Sequence, residues 1–274
     1  MKIGFMQGRF LQSENKKFIQ YFPDKNWKKE IRVALKNKFL IMEWTANLEN
    51  LKKNPIYNDC LLKELIIFKK KNKITINSIT CDFFMQKPFF HFFGKKMNYF
   101  LDILKKVIIN SQKIGIKYII LPLVDNASIK NISQEKALIK LLNNKIFLKN
   151  LKSGSKILFE MDFSPDKIIK FIKNFNQSKF GINYDTGNSA FMGYKIADEK
   201  RYFRYVNNVH IKDRIRINGL SVRLGRGDVD FINFFRVLKK CRYKGNLILQ
   251  TARTDNNDHA NELNINKNFI LNLL

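Results

Sequence analysis

Short apolar runs alternate with longer amphipathic stretches along the whole chain. Eight runs predict strands, and they cover residues 3–6, 39–44, 74–84, 117–124, 156–163, 180–185, 207–213 and 246–252. Most of these runs are apolar at nearly every position instead of at every second one. Such strands are typical of a parallel sheet that is covered on both faces.

The stretches between the runs have the periodicity of helices. Residues 97–115 carry apolar side chains at three- and four-residue steps, and Gly115 is the predicted helix stop. Residues 164–176 begin with Ser164 as a predicted N-cap and Pro165 at the first helical position. Residues 229–245 end in a basic turn before Gly245, which suits the helix dipole.

Eight strand–helix units in 274 residues predict an α/β fold, a single (β/α)₈ TIM barrel that spans residues 1–274. No linker rich in Pro, Gly or Ser divides the chain. An open, doubly wound sheet is the alternative that the pattern leaves open.

The charge and the cysteine content limit the classes of binding partner that we expect for the chain. The 51 basic and 23 acidic residues give a net charge of +28, which favours anionic partners. AT-rich codon usage would also raise the lysine content, and the lysines are spread evenly, so we expect no specific nucleic-acid partner. The three cysteines form no CxxC pair, and the apolar runs are too short to span a bilayer. We therefore expect a cytoplasmic protein without a membrane partner.

Polar residues cluster where the predicted strands end, which is where barrels of this class carry their reactive groups. Glu160, Asp185 and His210 stand at equivalent positions on three successive strands. Two carboxylates and an imidazole at one barrel mouth predict a divalent-metal site. The alternative for Asp185 alone is a helix N-cap. Glu43 is expected either to line the pocket or to pack in the core.

The loop after the seventh strand is rich in arginine. Its four arginines are Arg214, Arg216, Arg223 and Arg226, and Arg253 follows the eighth strand. Phosphate sites in such barrels often lie in these two loops, so an anionic sugar is a candidate substrate, with a solvated loop as the alternative. We expect Arg9, Asp213, Arg223 and Arg253 to contact the substrate. Lys212 is expected to face the outer helices or solvent.

An aromatic segment, FFMQKPFFHFF at residues 83–93, follows the third strand. It is either a lid that excludes water from the sugar or a surface that binds a partner.

Several motifs together resemble a known family. The segments GFMQGRF, ILFEMD, YDTGNSA, VHIKD and LGRGDVDF occur in this order and resemble the xylose isomerase-like TIM barrels. Within that superfamily, the resemblance points to sugar-phosphate isomerases and epimerases, including pentulose-5-phosphate 3-epimerases. It implies one divalent cation (Mn, Zn, Mg or Co) held by Glu, Asp, His and Glu. It also implies two glutamates that remove and return a proton through an enediolate.

Residue by residue, the resemblance assigns the metal ligands to Glu160, Asp185 and His210, and the fourth position falls on Gln250. An amide oxygen can coordinate a hard cation, but it cannot serve as a general base at neutral pH. Glu160 is then the remaining proton-transferring base of a sugar isomerase or epimerase. A substitute acid, such as Asp213 or a water, is a further alternative.

Two other functions stay open at this stage. Gln250 is also compatible with a catalytically impaired barrel that binds sugar without converting it. An enzyme like the abasic-site endonucleases would need a multi-zinc cluster built from many histidines, and the chain has three. The sequence leaves the oligomeric state open.

Overall fold

A computed structural model describes residues 1–12, 20–254 and 257–274. The strands in this part of the chain are β1 (Lys2–Met6), β2 (Ile41–Thr45), β3 (Thr75–Thr80), β4 (Tyr118–Leu123), β5 (Lys156–Met161), β6 (Phe180–Asp185), β7 (Val206–Ile211), β8 (Asp213–Arg214), β9 (Ser221–Val222) and β10 (Asn246–Leu249). Eight of them close into a parallel barrel in the ring order β1, β10, β7, β6, β5, β4, β3, β2. The strands β8 and β9 form a small antiparallel hairpin after β7. The predicted (β/α)₈ barrel is confirmed, and the open-sheet alternative is wrong.

Helices follow the barrel strands. They are α1 (Trp27–Lys36), α2 (Asp59–Asn72), α3 (Asp82–Gln86), α4 (Gly94–Lys113), α5 (Ile132–Leu142), α6 (Lys145–Leu148), α7 (Pro165–Ile172), α8 (Thr186–Met192), α9 (Ile196–Glu199), α10 (Phe231–Lys240) and α11 (His259–Leu271). Within the described residues, none of these helices combines the length and apolar character that crossing a bilayer requires.

The predicted strand positions are confirmed, and the third one shows an instructive difference. The apolar run 74–84 continues past the end of β3 at Thr80, and its last residues start helix α3 at Asp82. The helix stop at Gly115 is confirmed, because this residue has a φ of +88°, which glycine adopts without strain. Ser164 precedes α7 as predicted, but its side chain makes no capping hydrogen bond.

The alternation of side chains along each strand separates two environments. Outward-facing residues such as Phe5, Trp44 and Phe159 belong to the large core between the barrel and its helices. Inside the barrel, Met6, Ile41 and Ile248 form a small apolar cluster of their own. The remaining inward positions nearer the carboxyl ends of the strands are mostly polar, and this polarity defines the candidate site.

Candidate active site at the barrel mouth

Glu160, Asp185 and His210 come together as the strand pattern predicts. Glu160 is near the end of β5, Asp185 ends β6, and His210 lies opposite Asp185 in the register of β7. One ligand atom from each residue lies within 4.8 Å of the others, and all three residues are buried. In residues 1–12, 20–254 and 257–274, this is the one group of at least three His, Cys, Asp or Glu side chains that could hold a metal ion.

Two asparagines and a helix start hold the carboxylates in place. The Asn183 and Asn188 amides donate to the two oxygens of Glu160, each at 2.9 Å. The backbone N–H of Asn188 donates to Oδ1 of Asp185 at 2.8 Å, so Asp185 caps α8. Its other oxygen, Oδ2, is buried without a hydrogen-bond partner in the described structure. The capping role and a ligand role therefore use different oxygens of the same carboxylate.

His210 lies between two carboxylates. Its Nε2 is 2.6 Å from Oε1 of Glu43, and its Nδ1 is 3.0 Å from Oε2 of Glu160. Burial alone would lower the pKa of His210, but the charges of Glu43 and Glu160 outweigh burial and raise this pKa well above its ordinary value. A hydrogen bond from Nε2 to Glu43 leaves Nδ1 directed at the acidic side of the site, the arrangement that metal-binding histidines generally use.

Glu43 is itself fully satisfied at the bottom of the site. Thr80 donates to it at 2.6 Å and Asn208 at 2.8 Å. Burial would raise the pKa of Glu43, but the charge and hydrogen bond of His210 and the hydroxyl of Thr80 lower it below the ordinary value. The sequence did not decide whether Glu43 lines the pocket or packs in the core. The sequence feature that could have identified Glu43 as a site residue is that it is the single acid in the apolar run FLIMEW.

Gln250 directly follows β10, and its backbone N–H donates to the carbonyl of Ile211 at 2.9 Å. Its side-chain amide donates to Oε1 of Gln20 at 2.8 Å. Its own Oε1 is buried and, like Oδ2 of Asp185, has no hydrogen-bond partner among the described residues. A divalent cation held by Glu160, Asp185 and His210 would satisfy the orphaned oxygen of Asp185, and oxygen and imidazole donors suit Mn, Mg, Zn or Co. The residues present therefore fit the cation that the sequence predicts.

The four predicted substrate-binding residues have different surroundings. Arg9 is buried, and burial together with the charge of Arg253 lowers its pKa to about 9. Arg253 donates to the carbonyl of Leu11 at 2.7 Å and to that of Gly8, and so holds the loop after β1. Arg223 is exposed and pairs with Glu262 on α11. The substrate-binding roles of Arg9, Arg223 and Arg253 stay predictions.

Asp213 has a local structural task. Its Oδ2 accepts hydrogen bonds from the backbone N–H groups of Gly225 and Gly227 at 2.9 Å, and its Oδ1 accepts one from Val229 at 3.2 Å. These bonds hold the loop between β7 and α10. Contact between Asp213 and a substrate stays a prediction, which the proposals below do not use.

Lys212 differs from its expectation. Its Nζ lies 3.7 Å from Oδ2 of Asp185 and 3.4 Å from Oδ1 of Asn188. The expectation that Lys212 faces the outer helices or solvent is therefore wrong. The same oxygen of Asn188 also accepts a hydrogen bond from Arg214 at 3.0 Å, so two cations border the acidic cluster.

The aromatic segment at residues 83–93 is mostly part of the core. Its buried members are Phe83, Phe84, Phe89 and Phe90. Phe93 is 88% exposed and is the member of the segment that a lid or a partner surface could use. The two roles proposed for the segment therefore apply to this end of it alone, and both stay predictions.

Comparisons with known proteins agree with this architecture. The family model described as xylose isomerase-like TIM barrel matches residues 31–268. A comparison with curated protein sequences finds no match.

Several solved structures share the fold at low sequence identity. A xylose isomerase domain protein from Planctomyces limnophilus has a TM-score of 0.69 and 18% identity, with 89% of this chain and 90% of that chain covered. D-Psicose 3-epimerase from Clostridium cellulolyticum H10, solved with D-tagatose, has a TM-score of 0.72 and 15% identity, with 100% and 99% covered. 3-Keto-D-glucoside 4-epimerase from E. coli has a TM-score of 0.68 and 14% identity, with 98% and 99% covered.

Proposed function

The chain belongs to the xylose isomerase-like TIM barrel family, and from this premise we propose that it is a metal-dependent isomerase or epimerase of a sugar or sugar phosphate. The observation that carries the proposal is the convergence of Glu160, Asp185 and His210 within 4.8 Å at the barrel mouth. The sugar epimerases among the structures with the same fold support the substrate class.

Glu160, Asp185, His210 and Gln250 would hold the cation. A bound divalent cation would polarise the substrate carbonyl and the adjacent hydroxyl and so favour the negative charge of an enediolate. Asp185 and Gln250 would each offer the oxygen that lacks a partner in the described structure. Glu43 would keep His210 oriented through the 2.6 Å contact to Nε2.

Glu160 is the base in this proposal. Its carboxylate takes the proton from the carbon beside the substrate carbonyl, and the electron pair of the broken C–H bond becomes the C=C bond of the enediolate. The amides of Asn183 and Asn188 hold both oxygens of Glu160, which fixes the direction from which it approaches the substrate. Lys212, beside Asp185, adds a positive charge next to the developing anion.

The test is exchange of substrate hydrogen in deuterated water with Mn²⁺ added. The substrates are D-fructose, D-tagatose and D-allulose, together with pentulose 5-phosphates. We expect Glu160→Gln to lower turnover by about 10²-fold or more, because an amide cannot accept the proton. The matched control is Asp162→Asn, an acid just past the same strand, and it should keep its activity. Unchanged metal content and unchanged turnover in Glu160→Gln would reject the proposal.

Gln250 favours a second candidate, a barrel that binds sugar without converting it. The amide at this position removes the second carboxylate that the family resemblance implies. Calorimetric binding of a sugar by the metal-loaded wild-type protein, with no deuterium incorporation from any substrate, would select this candidate over the enzyme.

A further inference from the structure

The proposed chemistry leaves the return of the proton unassigned. Gln250 cannot perform this step, because an amide neither gives nor takes a proton at neutral pH. Asp213 already accepts three backbone hydrogen bonds in its loop. A second proton-transferring group must therefore be sought elsewhere at the barrel mouth.

Asp82 is distinguished from the other buried acids by its lack of partners. The buried acids in the described structure are Glu30, Glu43, Asp82, Glu160, Asp185, Glu199 and Asp213. All of them except Asp82 accept at least one hydrogen bond. Asp82 is 8% exposed, and no hydrogen bond or ion pair among the described residues involves its carboxyl group.

The strand order places Asp82 across the mouth from the predicted metal ligand His210. Asp82 follows β3, which lies directly opposite β7 in the ring of eight strands. The charges that act on its carboxyl group belong to residues of the same mouth: Glu160, His210, Glu43 and Arg9. A substrate bound at the mouth would therefore lie between His210 and Asp82, with Glu160 two strands from Asp82 in the ring.

The surroundings also keep a proton on Asp82. Burial, followed by the charge of Glu160, raises the pKa of Asp82 to about 8, although the charges of His210 and Arg9 act in the other direction. In the protein without a bound cation, a carboxyl group with such a pKa is protonated at neutral pH, which is the form that a general acid requires.

We infer that Asp82 is a second catalytic residue, which donates its proton to the enediolate from a different side of the mouth than Glu160, two strands away in the ring, so that the reaction is an epimerisation. This inference rests on the proposed function. In the step, the O–H bond of the Asp82 carboxyl group breaks, and its proton forms a new C–H bond with the electron pair of the enediolate C=C bond. The carbonyl forms again, and Asp82 is left as a carboxylate. Solvent then removes the proton from Glu160 and returns one to Asp82.

The test compares wild type with Asp82→Asn on the same ketohexoses in deuterated water with Mn²⁺. We expect Asp82→Asn to lower epimer formation by about 10²-fold or more. Deuterium should still enter the recovered substrate at the carbon that wild type inverts, because Glu160 can take a proton and return a deuteron to the same face. The exposed Asp102→Asn in α4, whose acid pairs with Lys105, is the control and should behave as wild type.

The outcomes separate this inference from the proposed function. Absence of deuterium exchange in wild type would reject the proposed function itself. Epimer formation by Asp82→Asn within about threefold of wild type would overturn the inference alone. The inference would also be overturned if Asp82→Asn lost deuterium exchange together with inversion. Formation of an aldose isomer by wild type would overturn it as well. Because no described residue forms a hydrogen bond with the Asp82 side chain, the variant should fold, and its circular dichroism should match that of wild type.

Discussion

The segments after β7 and after β3 each carry a buried aspartate two residues past the end of the strand, Asp213 in the first and Asp82 in the second. Three backbone N–H groups donate to Asp213 within 3.2 Å. No described residue donates to Asp82. Burial raises the pKa of both groups, but backbone hydrogen bonds oppose the rise at Asp213, whereas the charge of Glu160 adds to it at Asp82.

The difference shows that two acids at similar positions along the chain can have opposite tasks. A carboxylate that orders a loop works best when it is ionised and its oxygens are all used. A group that gives a proton to a substrate must keep an oxygen open to that substrate. The partners of each carboxylate, and not its distance from the strand end, separate the two cases.

The free energy of unfolding should show the largest difference between Asp213 and Asp82. Asp213→Asn would place an amide N–H₂ against backbone N–H donors, so we expect a loss of roughly 2–4 kcal/mol in the free energy of unfolding. Asp82→Asn removes no hydrogen bond made by a described residue and should not lower that free energy near neutral pH. Urea unfolding monitored by circular dichroism measures both. Similar losses in the two variants would contradict the distinction.

Glu43, on the strand next to β3, provides a second test of the difference between hydrogen-bonded and unpartnered acids. Like Asp213, it accepts several hydrogen bonds, but one of its partners is the predicted metal ligand His210. Glu43→Gln can still accept a hydrogen bond from Nε2 but loses the negative charge behind the imidazole. We expect the affinity for Mn²⁺ or Zn²⁺ to fall about tenfold or more. Titration calorimetry gives this affinity, and Glu64→Gln on the exposed side of α2 is the control. An unchanged affinity would make Glu43 a structural residue like Asp213.

Much of the fold was predictable from local patterns. Each of the eight apolar runs overlaps a barrel strand, because a strand buried on both faces must be apolar over most of its length. The convergence of Glu160, Asp185 and His210 also followed, because parallel strands bring their carboxyl ends to one face of the barrel. The end of β3 was harder to predict, since the apolar residues after it pack into the core as helix α3.

The parts of the site that were missed depend on contacts between distant segments. Glu43 and His210 are 167 residues apart in the sequence. The direction of Lys212 depends on Asp185 and Asn188, which lie on another strand and helix. The lack of partners around Asp82 is a property of the assembled mouth, and no local pattern encodes it.

The pH dependence of stability tests whether Asp82, unlike a carboxylate that orders a loop, holds a proton in the folded protein. Burial and the charge of Glu160 raise the pKa of Asp82 from 3.8 to about 8, so the folded protein holds this proton more tightly than the unfolded chain does. The resulting contribution to stability is fully present below the unfolded value of 3.8 and is lost as the pH rises toward 8. Asparagine cannot titrate, so wild type should lose stability relative to Asp82→Asn by up to about 1.4 kcal/mol per pH unit.

Urea unfolding of both proteins without added divalent cations, from about pH 5 to about pH 8, measures this difference. The free energy of unfolding of Asp82→Asn minus that of wild type should increase with pH. For Asp102→Asn, whose acid is largely exposed, the same difference should stay nearly constant. A constant difference for Asp82→Asn as well would mean that Asp82 is already ionised in the folded protein. Asp82 would then resemble Asp213 in its protonation state and would have no proton to give at neutral pH.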